Sequence, residues 1–279
     1  MSRIRLQGRP IVITGASSGI GAATAVACAQ AGMPVVLGAR RVDRLESLAE
    51  RIRGAGGRAV VRACDVSSED DCRSLVDACR TEFGSIYAVY ANAGYGFRGA
   101  VLETTDQQLR DILDVNAFGS LRVLRAAAPH LLEAGAGHLI MCSSCLSKVG
   151  VPRVSAYTCS KAMQDHLGRA LRHELKNTGV HVSTVHPIGT KTEFFDELEK
   201  RTAGDPDAKD TTRDGPFMQT PERVARAIVR CLEKPRGEIW TSRSFRTLLG
   251  LGVIFPGFAD WMVARYERRS ASRNGSIKP

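Results

Sequence analysis

Short apolar runs and longer amphipathic stretches alternate along this chain from residue 10 to residue 241. The run at 10–14, Pro-Ile-Val-Ile-Thr, is compact and β-branched, and 34–38, 58–62, 86–91, 138–142, 180–185 and 237–241 read the same way. Between them lie helical patterns at 22–31, 42–53, from Ser67 or Ser68 to about 83, 105–132, 155–177 and 221–232. Ser155 and Thr220 are placed as N-caps, and Gly32 and Gly179 close the elements before them. This order predicts an α/β fold, a single doubly wound Rossmann-type parallel sheet flanked by helices. One domain is expected over 1–279, with a core at 8–240 and an extension at 241–279. The segment 201–216 is the most loop-like in the chain, a lid over the substrate or plain surface.

Composition narrows the class without naming a function. Hydrophobic residues at 43% and charged residues at 24% are ordinary for a soluble globular protein. The first ten residues lack the apolar core of a signal peptide, and no run is long enough to span a bilayer, so a cytoplasmic location is expected. Eight cysteines at this length read as reduced thiols, and Cys142-Ser-Ser-Cys145 reads as buried thiols near a strand end. The net charge of +10 raises nucleic acid as a partner, but no basic-aromatic interleaving accompanies it. About half of the excess sits in residues 241–279, where seven Lys/Arg face Asp260 and Glu267.

The chemistry-bearing residues fall at the strand ends. Gly15-Ala-Ser17-Ser18-Gly19-Ile20-Gly21 joins the first strand to the first helix, the order a dinucleotide site needs. The glycines permit a tight turn and close backbone approach, while the helix N-terminus faces a pyrophosphate. After the second strand stand Arg40 and Arg41, where an NAD site usually carries an acidic residue; a guanidinium fork suits a 2′-phosphate, so NADP(H) is expected. Asp65-Val66 follows the third strand, able to orient an adenine or cap the turn, and Asn92-Ala93-Gly94 follows the fourth. Asn116 lies inside the 105–132 helix, a tolerated polar position or a functional kink. Ser144 ends the fifth strand, and Tyr157 and Lys161 share one helix face four residues apart. An ammonium beside a phenol stabilises the phenolate, and a nearby hydroxyl can hold a substrate oxygen that gains charge. His186, ahead of Pro187 and Thr192, reads as a structural strand-end residue, and no histidine shows a partner set for a metal or a triad.

Together these residues resemble the short-chain dehydrogenase/reductase family over roughly residues 8–240. The resemblance is carried by Thr14-Gly15-x-x-x-Gly19-x-Gly21, Asp65, Asn92-Ala93-Gly94, Asn116, Ser144, Tyr157-x-x-x-Lys161 and the Pro187 to Thr192 turn. Two positions depart from the pattern: Ala91 precedes Asn92, and Ile188 stands where glycine is common. The resemblance implies that Tyr157 exchanges the proton on the substrate oxygen. Lys161 would support the phenolate and bind the nicotinamide ribose, Ser144 would position the oxygen, and Asn116 would hold a water in a proton relay. It implies an NADP(H)-dependent oxidoreductase interconverting an alcohol and a ketone or aldehyde, expected as a homodimer or homotetramer. A sensor that keeps the fold without catalysis is the alternative, although the chain retains all three catalytic groups.

The segments that would face a substrate hold Tyr95, Phe97, Leu146, Val149, Val151, Phe194 and Phe195, so a hydrophobic substrate is expected. Further on, residues 245–269 combine an apolar stretch with arginines. That segment could cover the pocket, enter a subunit interface or lie on an anionic membrane, the last being the least favoured since so short a stretch usually packs on protein.

Overall fold

The computed structural model describes residues 3–202 and 218–273. Its centre is a seven-stranded sheet in the order β3-β2-β1-β4-β5-β6-β7, every pair parallel. The strands are β1 (Ile11–Thr14), β2 (Val35–Ala39), β3 (Ala59–Ala63), β4 (Ala88–Ala91), β5 (Gly137–Cys142), β6 (Val180–His186) and β7 (Glu238–Trp240). Successive side chains point to opposite faces of a strand, and both faces of the central strands β1, β2 and β4 are buried, which is why those runs are largely apolar rather than alternating. Ile11 and Ile13 face one core with Leu37, Cys28 and Ile228. Val12 faces the other, with Val36, Leu75, Leu124, Leu139 and Met141. Burying each such side chain contributes roughly 1.5–3 kcal/mol.

Helices α1 (Gly19–Gln30), α2 (Val42–Gly54) and α3 (Glu69–Phe83) follow the first three strands. Ser68 caps α3 by accepting from the Asp71 amide, as one of the two serine alternatives required. The long helix expected over 105–132 is interrupted. It comprises α4 (Asp106–Leu113), a wider π turn (Asp114–Phe118) and α5 (Gly119–Glu133). Thr105 starts α4 with a reciprocal capping box to Gln108. The π turn is pinned from outside: Arg122 binds the Asp114 carboxylate at 2.6 Å and reaches the Val66 carbonyl at 3.2 Å.

Helix α6 (Ser155–Glu174) corrects the cap assigned to Ser155. Val154 occupies the cap position with no side-chain bond, and the Ser155 carbonyl instead accepts from Thr158 Oγ1 at 3.0 Å. Thr220 likewise makes no capping bond before α8 (Pro221–Glu233), where Pro221 pre-sets the first turn. Three helices had no counterpart in the sequence pattern: α7 (Phe194–Arg201), α9 (Arg243–Ile254) and α10 (Pro256–Arg273). The loop-like segment assigned to 201–216 falls, beyond Thr202, outside the described residues. Among the described residues, no helix is long and apolar enough to cross a membrane.

Candidate active site

Strand order reverses between β1 and β4, and the crevice outside the strand ends there is where open α/β sheets take ligands. A cleft of about 2070 Å³ occupies this edge. Its size exceeds the roughly 300–1,000 Å³ of a pocket for one small ligand. The glycine loop forms one wall. Gly15 has φ 64°, and a Cβ there would come within 2.8 Å of Ala93 Cα. A Cβ on Gly21 would run into the Gly15 carbonyl, so Gly21 packs the loop and does not itself line the cleft. Ser17, Ser18, Gly19 and Ile20 do line it. Ser18 makes no side-chain cap and the first turn of α1 holds no acidic residue, so the positive end of α1 is left to an anion.

Asn92 braces that loop. Its carboxamide donates to the carbonyls of Thr14 (3.1 Å) and Gly15 (3.3 Å), while Thr14 Oγ1 accepts from the amides of Asn92 and Ala93. Asn92, Ala93 and Gly94 all border the cleft.

Arg40 and Arg41 both line it as well. Arg40 is 69% exposed, with Nη1 3.9 Å from Asp65 Oδ2. Asp65 caps its own turn by accepting from the amide and hydroxyl of Ser67. Burial alone would raise the Asp65 carboxyl, but the Ser67 bonds and Arg40 leave it below its usual range. Arg41 donates to Ser17 Oγ and Ser18 Oγ, at 2.8 Å for the latter. It also meets Glu193, which binds Arg44 at 2.6 Å. Sequence reading missed Glu193, whose two arginines come from a distant element. Val66, Pro187 and Thr192 complete this half, and Gly19 approaches Thr192 so closely that a Cβ would lie 3.1 Å from it.

In the other half, the end of β5 meets α6 through Ser143 Oγ, which donates to the Lys161 carbonyl at 2.8 Å. Ser144, Tyr157 and Lys161 thereby line one stretch of cleft. Burial pushes the Tyr157 phenol well up, and a hydrogen bond with the Ser144 hydroxyl opposes that rise. The Lys161 ammonium, 5.6 Å from the centre of the Tyr157 ring, is held down by burial. It donates to the Cys142 carbonyl at 2.7 Å and to Gln164 Oε1 at 2.9 Å.

Asn116, wholly buried in the π turn, does not reach the cleft. Its Oδ1 accepts from the Tyr95 amide at 3.0 Å, and its Nδ2 donates to the Tyr95 carbonyl and to Ser160 Oγ. Its carbonyl accepts from Ser120 Oγ at 2.8 Å. Asn116 therefore fixes the segment that follows Asn92-Ala93-Gly94.

His186 corrects the reading of a histidine without partners. Its Nε2 lies 3.3 Å from Asp165 Oδ1, and Glu238 joins the same cluster. Lys148 is bonded to Asp165, so the cluster already contains its own cation. Trp240 stacks on the imidazole at 4.5 Å.

Of the residues expected to face a substrate, Tyr95, Leu146, Val149, Val151, Phe194 and Phe195 line the cleft. Phe97 does not; its ring sits against Gly99, where a Cβ would meet it at 2.9 Å. Phe194 packs on Tyr157 at 5.3 Å. Helices α9 and α10 add Phe245, Leu248, Leu249, Trp261 and Met262, so the extension does cover the pocket, while Val253, Ile254 and Phe255 remain exposed. The eight cysteines are free thiols, all buried except Cys159.

Residues 9–203 match the family described as short chain dehydrogenase. The chain belongs to the short-chain dehydrogenase/reductase family. It is 35% identical over 230 residues to glycine betaine reductase ATRR of Emericella nidulans, covering 82% of this chain but only 18% of that protein. It is 34% identical to fatty acyl-CoA reductase Rv0547c of Mycobacterium tuberculosis, covering 74% of this chain and 73% of that one. A Burkholderia phymatum short-chain dehydrogenase/reductase, solved in complex with NAD, superposes with TM-score 0.80 at 25% identity, covering 89% of this chain and 94% of that one. The Thermococcus sibiricus alcohol dehydrogenase, solved with 5-hydroxy-NADP, gives 0.72 at 29%, covering 83% and 95%.

Proposed function

We propose that this protein is an NADP(H)-dependent oxidoreductase that interconverts a hydrophobic alcohol and the corresponding ketone or aldehyde. The observation that carries this reading is that Ser144, Tyr157 and Lys161 line the same cleft as the glycine loop, with the Lys161 ammonium 5.6 Å from the centre of the Tyr157 ring. The residues fit the dinucleotide: the Gly15 and Gly19 backbones leave space that a side chain would fill, and the α1 N-terminus is free of acidic side chains. Arg40, largely exposed at the edge of the cleft, suits a 2′-phosphate. When bound, the nicotinamide supplies or accepts the hydride.

The chain's own residues handle the proton and the orientation. Tyr157 gives its phenolic proton to the substrate oxygen in reduction and takes it back in oxidation. The Ser144 hydroxyl holds that oxygen as charge develops. Lys161, charged in a buried setting, favours the phenolate across a short gap. The apolar side chains around Tyr157 exclude water and favour a hydrophobic substrate, in agreement with a relative named as a fatty acyl-CoA reductase.

A panel of ketones and aldehydes with NADPH, followed at the nicotinamide absorbance, tests the reading. Turnover with an apolar carbonyl is expected, abolished in Tyr157→Phe with NADPH binding retained. Near-normal turnover in Tyr157→Phe would overturn the role of Tyr157, and silence across the panel with bound NADPH would favour a sensor.

A further inference from the structure

Lys161 is positioned by a closed relay of neutral side chains that runs back to the π turn. Its ammonium has three hydrogens and no acceptor. One goes to the Cys142 carbonyl at 2.7 Å and one to Gln164 Oε1 at 2.9 Å, which leaves the third for the cleft that Lys161 lines. Because the ammonium only donates, the Gln164 carboxamide must turn its oxygen towards Lys161 and its NH₂ the other way. That NH₂ meets Ser120 Oγ at 2.7 Å. Ser120 accepts it and donates its own hydrogen to the Asn116 carbonyl at 2.8 Å. Along this series each donor–acceptor pair runs in one direction only, from Lys161 to Gln164, from Gln164 to Ser120 and from Ser120 to the Asn116 carbonyl. Gln164 is wholly buried, Ser120 is 3% exposed and Lys161 is 4% exposed, so water competes for none of these bonds.

We propose that Gln164, fixed by Ser120, is a positioning residue that keeps the Lys161 ammonium charged and aimed at the cleft. The proposal rests on the reading of Tyr157 as the proton-exchanging group. A buried ammonium that loses one of two fixed acceptors has less reason to stay charged and is free to swing. Its support of the phenolate weakens, and a higher pH is needed to ionise Tyr157. An amide does not pass protons readily, so Gln164 acts through Lys161 and touches no reacting atom. The titratable groups facing Lys161 are Cys142 from β5 and Tyr157 from α6 itself, and Cys142 and Cys145 face Tyr157.

The test compares wild type, Gln164→Met, Ser120→Ala and the double variant. Gln164→Met keeps length and apolar bulk but removes the acceptor. In alcohol oxidation the acid limb of the pH–kcat profile should move up by about one pH unit in Gln164→Met, and by less in Ser120→Ala. The double variant should match Gln164→Met, since both act through one bond to Lys161. Heteronuclear NMR of the Lys161 side chain in the cofactor-free protein should show its ammonium deprotonating at lower pH in Gln164→Met. An acid limb and a Lys161 titration that both stay in place, or additive effects, would overturn the proposal even if Tm falls. Failure of the underlying reading is seen separately, as wild-type turnover that survives Tyr157→Phe.

Discussion

His186 Nδ1 lies 3.1 Å from the carbonyl oxygen of Ser144. A carbonyl only accepts, so Nδ1 carries the hydrogen, and the ring holds the backbone of the residue whose hydroxyl meets Tyr157. Behind the ring stand Asp165 and Lys148, and Thr184 Oγ1 lies 3.0 Å from Nε2. His186→Phe keeps the stack on Trp240 but removes the bond. We expect kcat to fall about tenfold, corresponding to roughly 1.4 kcal/mol of lost orientation. NADPH affinity measured by fluorescence should not change. An unaltered kcat would show that Ser144 is held by its other contacts alone.

The same cluster sets a pH dependence of stability. Burial alone would raise the Asp165 carboxyl, but the His186 ring and the Lys148 ammonium beside it outweigh burial and hold the group well below its usual range. A carboxylate depressed in the folded state stabilises the fold fully above its unfolded value of about 4, and the contribution is lost as pH falls through the folded value. Asp165→Asn should therefore flatten the loss of stability below about pH 4. At neutral pH it should cost about 3 kcal/mol, because Lys148 and His186 lose their partner. Urea unfolding at neutral and acid pH measures both, and an equal cost at the two values would contradict the linkage.

The two halves of this site were unequally legible in the sequence. Strand ends and the residues they deliver, Gly15, Asp65, Asn92, Ser144 and Pro187, follow from apolar runs punctuated by polar or small residues, a one-dimensional signal. Tyr157 and Lys161 follow from helical spacing. The π turn at Asn116 does not, since the bonds around it run from Arg122 to Asp114 and to the Val66 carbonyl in the loop before α3, 56 residues away in sequence. Gln164 has the right spacing from Lys161 to share its face, but its partner Ser120 belongs to α5. His186 looked solitary because Asp165 and Glu238 converge on it only once α6, β6 and β7 are packed. Phe97 was misplaced because its apolar character says nothing about whether it faces the cleft or Gly99.

We expect cofactor choice to turn on Arg40. It borders the cleft, is largely exposed and has only a 3.9 Å approach to Asp65, so its fork is available to a phosphate. Arg41 is spent on Ser17, Ser18 and Glu193. Arg40→Asp should weaken NADPH binding about 10- to 100-fold, the worth of one or two charge-assisted hydrogen bonds, and leave NADH binding unchanged. Calorimetric titration with both dinucleotides decides it; equal losses for the two would sink the 2′-phosphate assignment.

Substrate selection should show a methylene gradient. Leu146, Val149, Phe194, Leu248 and Met262 give the wall beyond Tyr157 an apolar character, and Leu248 comes from α9, close to the surface at 37% exposed. Each additional buried methylene contributes about 0.8 kcal/mol, or roughly fourfold in kcat/KM, so a series of methyl ketones of rising chain length should climb by that step until the cleft is filled. Leu248→Asp places a charge at the outer end of the wall without touching Ser144, Tyr157 or Lys161. It should leave the shortest ketones unaffected and remove the gain for the longest. A gradient unchanged in Leu248→Asp would mean that α9 lies beyond the substrate's reach, and that its apolar face serves a purpose other than binding it.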